Sequence, residues 1–312
     1  MSAVLPGRTP GRLARAWDTD LAYSFRHSPV AIVSALLLML TVVAAFGARW
    51  IAPYDPFNLA SLNLMDSFHP PAFVAGGGLD HVLGTDDQGR DVLSAILFGA
   101  QISLIVGGAA VIFATLLGIL VGLAAGYLGG ITDALLMRIA DVQLSFPAIL
   151  IALLVDGIVT ALLPPSQHDA MQLYVLIFSI GISLWPQFAR TVRGSTLVER
   201  GKDYIMAARV IGLSAPRIML THILPNVTGP IFIIGTLNLG LAILTEATLS
   251  FLGVGLPPTS PSLGTLINTG NNFLYSGEWW IALFPGVFLV LMVLSINLLG
   301  DWLRDALNPR LR

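Results

Sequence analysis

No cysteine occurs among the 312 residues, which excludes disulfides, thiolate nucleophiles and cysteine-ligated metals. Charge is scarce as well: Asp, Glu, Lys and Arg make up 11% of the chain, against about a quarter in an ordinary soluble domain. The five histidines, His27, His69, His81, His168 and His222, fall outside the long apolar runs, and there is no Walker A sequence and no HExxH pair. An intramembrane enzyme would need a nucleophile, a paired-aspartate site or a metal cluster, and neither a cysteine nor a metal-binding motif is present. What is plentiful is apolar surface, at 55% of residues, together with 31 glycines and 19 prolines. Soluble helices avoid Gly and Pro, whereas membrane helices tolerate them because neighbouring helices re-satisfy the freed backbone groups. The composition therefore predicts an all-α, polytopic membrane protein.

A bilayer core of about 30 Å needs roughly 20 apolar residues in a helix. Runs of that kind occur at Val30–Ala48, Ile102–Tyr127, Val142–Leu163, Ala170–Ala189, Ile231–Gly253 and Trp279–Gly300, giving about six spans. Val30–Ala48 is 19 residues long, beyond the roughly 7 to 15 of a signal-peptide apolar region, and reads as a retained anchor. Asp156 interrupts the third run and Glu246 the fifth. The organisation expected is an N-terminal tail (1–27), a first span with an external loop and interfacial helix (28–101), a permease core (102–302) and a C-terminal tail (303–312).

Lys and Arg set the orientation, because cytoplasmic loops retain positive charge. Fourteen of them fall on one side: Arg8, Arg12, Arg15 and Arg26; Arg138; Arg190, Arg193, Arg200, Lys202, Arg209 and Arg217; and Arg304, Arg310 and Arg312. Two, Arg49 and Arg90, fall on the other. Both termini and the Arg190–Asn226 segment are thus expected in the cytoplasm, with the Ile51–Gln101 segment outside.

In the external segment, Thr85 and Gln88 have capping-box spacing, and Asp86 and Asp87 would oppose the positive end of a helix dipole. A helix is expected to start near Asp86 and to lie at the interface before span two. Asp80, His81, Asp86, Asp87 and Asp91 also invite a metal reading, but capping accounts for the same residues. Span two carries Ala110, Ala114, Gly118, Gly122, Gly126 and Gly130 at four-residue intervals, a small-residue stripe that lets helix backbones approach in lipid. Spacing leaves open whether the stripe meets this chain or a partner.

The 36 residues Thr191–Asn226 are the most informative. Asp203–Ile211 reads as a short helix stopped by Gly212, and Ser214 with Pro216 starts another, which Pro225 and Pro230 are expected to break before span five. A hairpin this polar offers no evident core for Ile205, Ala208 or Ile211, so a partner surface is expected to cover them.

The run MAARVIG, followed nine residues later by HILP, resembles the EAA loop of bacterial ATP-binding cassette importer permeases. Ala207, Ala208, Gly212, Leu224 and Pro225 hold the motif positions, while Met206 and His222 replace its Glu and Ile. Together with LGTDDQGRDVL and TEATLSFLGVGLPPTSPSLGTLI (Thr245–Ile267), the chain resembles the C-type subunit of dipeptide and oligopeptide permeases over about Ser28–Leu311. The resemblance implies a type I importer architecture and a bacterial inner-membrane location. It implies a non-catalytic permease half whose partners are a B-type permease subunit, two ATPase subunits that hold ATP and Mg, and an external solute-binding protein delivering short peptides. No cofactor is expected on this chain, and no nucleic acid. It further implies a coupling loop comprising Asp203, Tyr204, Ala207, Ala208, Arg209, Gly212, Leu224 and Pro225.

Glu246 falls well inside an otherwise clean span, where a charge is unfavourable by roughly 2.5 to 3.5 kcal/mol, so it should face protein or water. It is either a hydrogen-bond anchor to Thr245, Thr248 or a neighbouring helix, or part of the translocation path. Glu246 and Asp156 also leave room for an ion-coupled secondary transporter.

Overall fold

A computed structural model describes residues 20–56, 64–257 and 259–307. Arg8, Arg12, Arg15, Arg310 and Arg312, which contribute to the charge asymmetry, lie outside the described residues. The described residues form helices and no strand: α1 Asp20–Arg26, α2 Pro29–Phe46, α3 Ala48–Ile51, α4 Val92–Leu128, α5 Gly130–Leu144, α6 Ala148–Leu162, α7 His168–Glu199, α8 Asp203–Val210, α9 Ala215–Ile218, α10 Leu224–Phe251, α11 Leu263–Phe273 and α12 Trp280–Ala306.

Five of these segments are long and apolar enough to cross a membrane, or six if the broken pair α5 and α6, bent by 96°, counts as one span. The single third span expected at Val142–Leu163 is therefore corrected. Pro147 lies at the break and has an extended ψ of 131°. Proline removes a helical donor and pushes the preceding residue out of helical geometry, so the two halves part there. α5 then lies against α7, tied by Asp133 to Arg193 at 2.6 Å and by Gln143, which donates to the Ile182 carbonyl at 2.6 Å and accepts from Trp185 Nε1 at 3.0 Å.

α2 starts where the chain instructs it to: Ser28 caps it by accepting from the Ala31 amide, and Pro29 occupies the first turn. Its small side chains Ala31, Ser34 and Ala45 are buried, while Val33, Leu36, Met39 and Leu40 are exposed, as lipid-facing residues must be.

The start of α4 differs from the sequence expectation. The Asp86 carboxylate closes a tight turn instead of lying in the first turn of a helix: Oδ1 accepts the amides of Gln88 and Arg90, both at 2.9 Å, and Oδ2 accepts Arg90 Nε at 2.6 Å. Gly89, at φ +76°, takes the left-handed conformation that the turn needs. The cap passes to Asp91, whose Oδ2 accepts the Ser94 amide at 2.8 Å. The interfacial helix expected before span two is thus the first part of one 37-residue helix, about 55 Å long.

Pro225 and Pro230 do not break the chain before span five. Met219–Ile223 forms a π-helical turn that joins α9 to α10, so Pro225 falls in the first turn of α10, where its missing N–H does no harm. The helix continues through Pro230.

Apolar side chains gather in three cores. One joins α2, α4, α10, α11 and α12 around Ile243, Leu263 and Met292. A middle one joins α4, α5, α6, α7 and α10 around Leu176, Leu184 and Phe188. The third, at the α8 end, joins α4, α7, α8, α9 and α10. The small-residue stripe of α4 settles its open question by facing α7 of the same chain. A methyl group on Gly122 would lie 2.6 Å from the Ala189 carbonyl oxygen, one on Gly126 would lie 2.7 Å from Thr196 Cβ, and one on Gly118 would clash with Phe188 Cβ. Gly130, beyond the helix end, meets nothing within 4 Å.

Candidate functional site: the hairpin after α7 and the buried carboxylates

The hairpin that follows α7 begins later than expected, because the residues from Arg190 to Glu199 continue that helix. Arg200 turns back to donate to the Gly126 carbonyl at 2.8 Å, capping the exposed end of α4. α8 then runs from Asp203 to Val210 and stops at Gly212, which sits at φ +81° while the Leu213 amide bonds the Ala208 carbonyl at 3.1 Å. Asp203 lies in its first turn, where a carboxylate suits the helix dipole.

The faces of α8 are unlike. Ile205 is fully buried and Ala208 is 4% exposed, both packed in one core with Leu123 of α4, Val192 of α7, Ile218, Ile223 and Val227. Their expected burial against a partner is corrected: the hairpin folds back on its own helix ends and gains a core that its polar sequence did not advertise. Leu224 packs at the edge of that core. Ile211 is 74% exposed, Val210 87% and Met206 48%, so the unpartnered apolar face belongs to these three. Ala207, Arg209 and Pro225 are also at the surface.

Two polar contacts fix the orientation of α8. Tyr204 donates its hydroxyl to Glu199 and accepts from Asn226 Nδ2 at 3.1 Å, bridging α7 to α10. Burial first, and then the Glu199 carboxylate, push the phenol up to about 12, so it stays a donor. Arg209 lies over the Tyr127 ring at 4.9 Å, joining α8 to the end of α4. Asn226, Glu199 and Tyr127 were missed from sequence, since their roles depend on which helix ends converge.

Glu246 is completely buried near the far end of α10. Its two oxygens accept from Ser103 on α4 and from Ser250 one turn on, each at 2.7 Å. Ser103 also takes the Leu263 amide at 3.3 Å, so one carboxylate knots α4, α10 and α11 together. Neither Thr245 nor Thr248 serves it: both hydroxyls bond the backbone of their own helix. Asp156, on α6, is 3% exposed and accepts a hydrogen bond from Gln172 Nε2 at 3.5 Å. In the turn before α4, Asp91 serves Ser94 and His81, and among the described residues no three metal-ligating side chains converge.

Comparison with known proteins matches this architecture. Residues 115–312 fit the binding-protein-dependent transport system inner membrane component family, and residues 14–71 fit the N-terminal TM domain of oligopeptide transport permease C. The chain is 36% identical to the di/tripeptide transport system permease protein DppC of Pseudomonas aeruginosa, over 97% of this chain and 94% of that protein. It is 35% identical to the dipeptide transport system permease protein DppC of Haemophilus influenzae, over 93% and 94%. It is 40% identical to the glutathione transport system permease protein GsiD of Escherichia coli, over 99% and 95%. Among solved structures, a chain of the inward-facing MetNI methionine ABC transporter superposes with a TM-score of 0.51 at 21% identity, covering 69% of this chain and 97% of that one, a likeness of fold. A long-helix bundle with a folded hairpin at one end, matched by these relatives along nearly its whole length, belongs to the binding-protein-dependent transport system inner membrane component family: it is a multi-pass, C-type permease subunit of an ATP-binding cassette importer.

Proposed function

We propose that this permease passes short peptides across the bacterial inner membrane as one half of a heterodimeric pore. Its partners are a B-type permease subunit, two ATPase subunits and an external solute-binding protein. Both termini and the α8 hairpin face the cytoplasm. ATP and Mg belong to the ATPase subunits, and this chain is non-catalytic and holds no cofactor of its own.

The observation that carries the reading is the division of α8. Its outer face, Met206, Val210 and Ile211, is apolar and uncovered, while its inner face is locked through Ile205 and Ala208 to α4, α7 and α10. A push on the outer face moves a packed core, and packed cores shift as units because interiors are dense. Closure of the ATPases upon ATP would thereby reach three membrane helices at once. Glu246 serves as a clasp at the opposite end, where its two serine bonds hold the helices that the push must rearrange.

Two experiments test this. Ile211→Asp should insert and remain monodisperse yet lose co-purification with the ATPase subunits and ATP-driven peptide uptake; full uptake would refute docking through this face. For orientation, the chain has no native cysteine, so Leu79→Cys (86% exposed) and Val210→Cys (87% exposed) can be labelled singly in spheroplasts. An impermeant thiol reagent should modify Leu79→Cys alone.

A further inference from the structure

A cavity of about 530 Å³ opens between α6, α7 and the chain that leaves α10, at the end of the bundle away from α8. Asp156, Thr160 and Gln172 line it, and Asp169 adds a second negative charge at its exposed rim. No Lys or Arg is among its lining residues. His168, also in the wall, directs Nε2 to the Leu163 carbonyl at 3.1 Å, which commits that nitrogen to capping the end of α6.

The polar groups here are short of partners. A carboxylate has about four acceptor positions, and Asp156, although 97% buried by its 3% exposure, takes a single long bond of 3.5 Å. The Thr160 hydroxyl is buried with no partner at all. Buried polar atoms are nearly always satisfied, so an unpartnered hydroxyl beside a weakly partnered carboxylate in one cavity leaves a place for a ligand. Asp156 is the buried charge in this wall and is acceptor-only when ionised, and no Lys or Arg lines the cavity to neutralise it, which favours a ligand that donates and carries positive charge. A metal ion does not fit, because no three His, Cys, Asp or Glu side chains converge among the described residues. A primary ammonium group does. It presents three N–H donors, matched by the Asp156 carboxylate, the Thr160 oxygen and the amide oxygen of Gln172, whose nitrogen already serves Asp156.

Size and wall chemistry extend the identification. The volume falls within the roughly 300 to 1,000 Å³ of small-molecule sites and far exceeds one ion. Leu153, Val254 and Pro257 give it an apolar side suited to the side chain beside an ammonium group. The roof is also connected to the membrane core. Gly255, in the cavity wall, packs against Ser250, the serine that holds Glu246, so the wall of the cavity adjoins the clasp.

We infer that this cavity is a substrate site in which Asp156 holds the amino-terminal ammonium group of the transported peptide, an assignment that rests on the peptide-importer reading.

The test uses the complete importer. In detergent, without the solute-binding protein, titration calorimetry compares alanyl-alanine amide with its N-acetyl derivative, in which a neutral acetamide replaces the ammonium group. The free amine should bind saturably and the acetylated form should not. Asp156→Asn should weaken binding by at least about tenfold, the loss of one charged hydrogen bond, and Asp156→Glu should restore part of it. Gly157→Leu supplies an independent variant, because Gly157 lines the cavity and a Cβ there meets nothing within 4 Å. It should block binding with the carboxylate intact. Both variants should co-purify with the partner subunits and keep ATPase stimulation by the binding protein, while peptide uptake in proteoliposomes falls. Equal binding of the two amides, Asp156→Asn binding and transport at wild-type levels, or sodium chloride displacing the amine as effectively as peptide does, would each overturn the assignment. Wild-type complex that binds the amine but takes up no peptide would count against the importer reading; uptake without amine binding would count against the site alone.

Discussion

Glu246 and Asp156 are the same functional group in the same surroundings, a carboxylate buried inside a membrane helix, yet they are held in opposite ways. Glu246 is enclosed and each oxygen takes a 2.7 Å bond from a serine, whereas Asp156 borders a cavity and takes one bond of 3.5 Å. The same contrast recurs on α8, where Ala208 is packed and Ile211, three residues on, is bare. Burial alone does not distinguish these two carboxylates; the completeness of their partners does. An enclosed group should fail through assembly when altered, and an incompletely partnered one through activity with assembly intact.

The sharpest way to break that comparison lies in the most tightly enclosed seam. Gly122→Leu places three further carbons where even a methyl meets the Ala189 carbonyl oxygen at 2.6 Å. Overpacking a dense core is unfavourable by about 1 to 3 kcal/mol and sometimes more, and here neither backbone can retreat without losing the α4–α7 contact. Membrane-inserted, monodisperse protein should fall below detection by fluorescence size-exclusion chromatography. Normal yield would show that the seam is not the spine of the bundle.

Next in size is Glu246→Ala, which strands the Ser103 and Ser250 hydroxyls and opens a cavity; each unsatisfied buried group is unfavourable by about 1 to 3 kcal/mol. Glu246→Gln keeps an acceptor for one serine. Alanine should lower the thermal midpoint of the purified complex clearly and glutamine only slightly. If both variants assemble normally and both lose transport, Glu246 belongs to the pathway and the clasp reading fails.

A smaller effect separates the faces of α8. Ala208→Arg forces a cation into the core formed by Leu123, Val192 and Ile205, and should destabilise the isolated permease before any partner is added. Ile211→Arg should leave the permease melting curve unchanged and weaken ATPase association alone. Equal melting curves for the two variants would erase the distinction.

Much of this was legible in the sequence, for identifiable reasons. Hydropathy marks spans because lipid offers no hydrogen bonds, so length and apolar composition alone separate Pro29–Phe46 or Trp280–Ala306 from the rest. Gly212 announced the end of α8 because few other residues accept φ +81°. Asp86 closes a turn although its sequence suits a first helical turn, because a carboxylate favours exposed amides in either setting, and Gly89 at φ +76° is the residue that separates the two. Pro147 was passed over inside an apolar run, whereas Pro225 and Pro230 were given breaking power that the π turn at Met219–Ile223 removes.

By itself the sequence determined the membrane class, the helical spans, the small-residue stripe and the hairpin that marks the family, since each follows from composition or from neighbours within a few turns. Which side of α8 is covered, which helix receives the stripe, and which carboxylate is satisfied were decided by the tertiary structure. Ser103 lies 143 residues from Glu246, and Val192 lies outside the α8 hairpin it helps to bury. Partners that distant are set by how whole helices pack, and local periodicity carries no record of that.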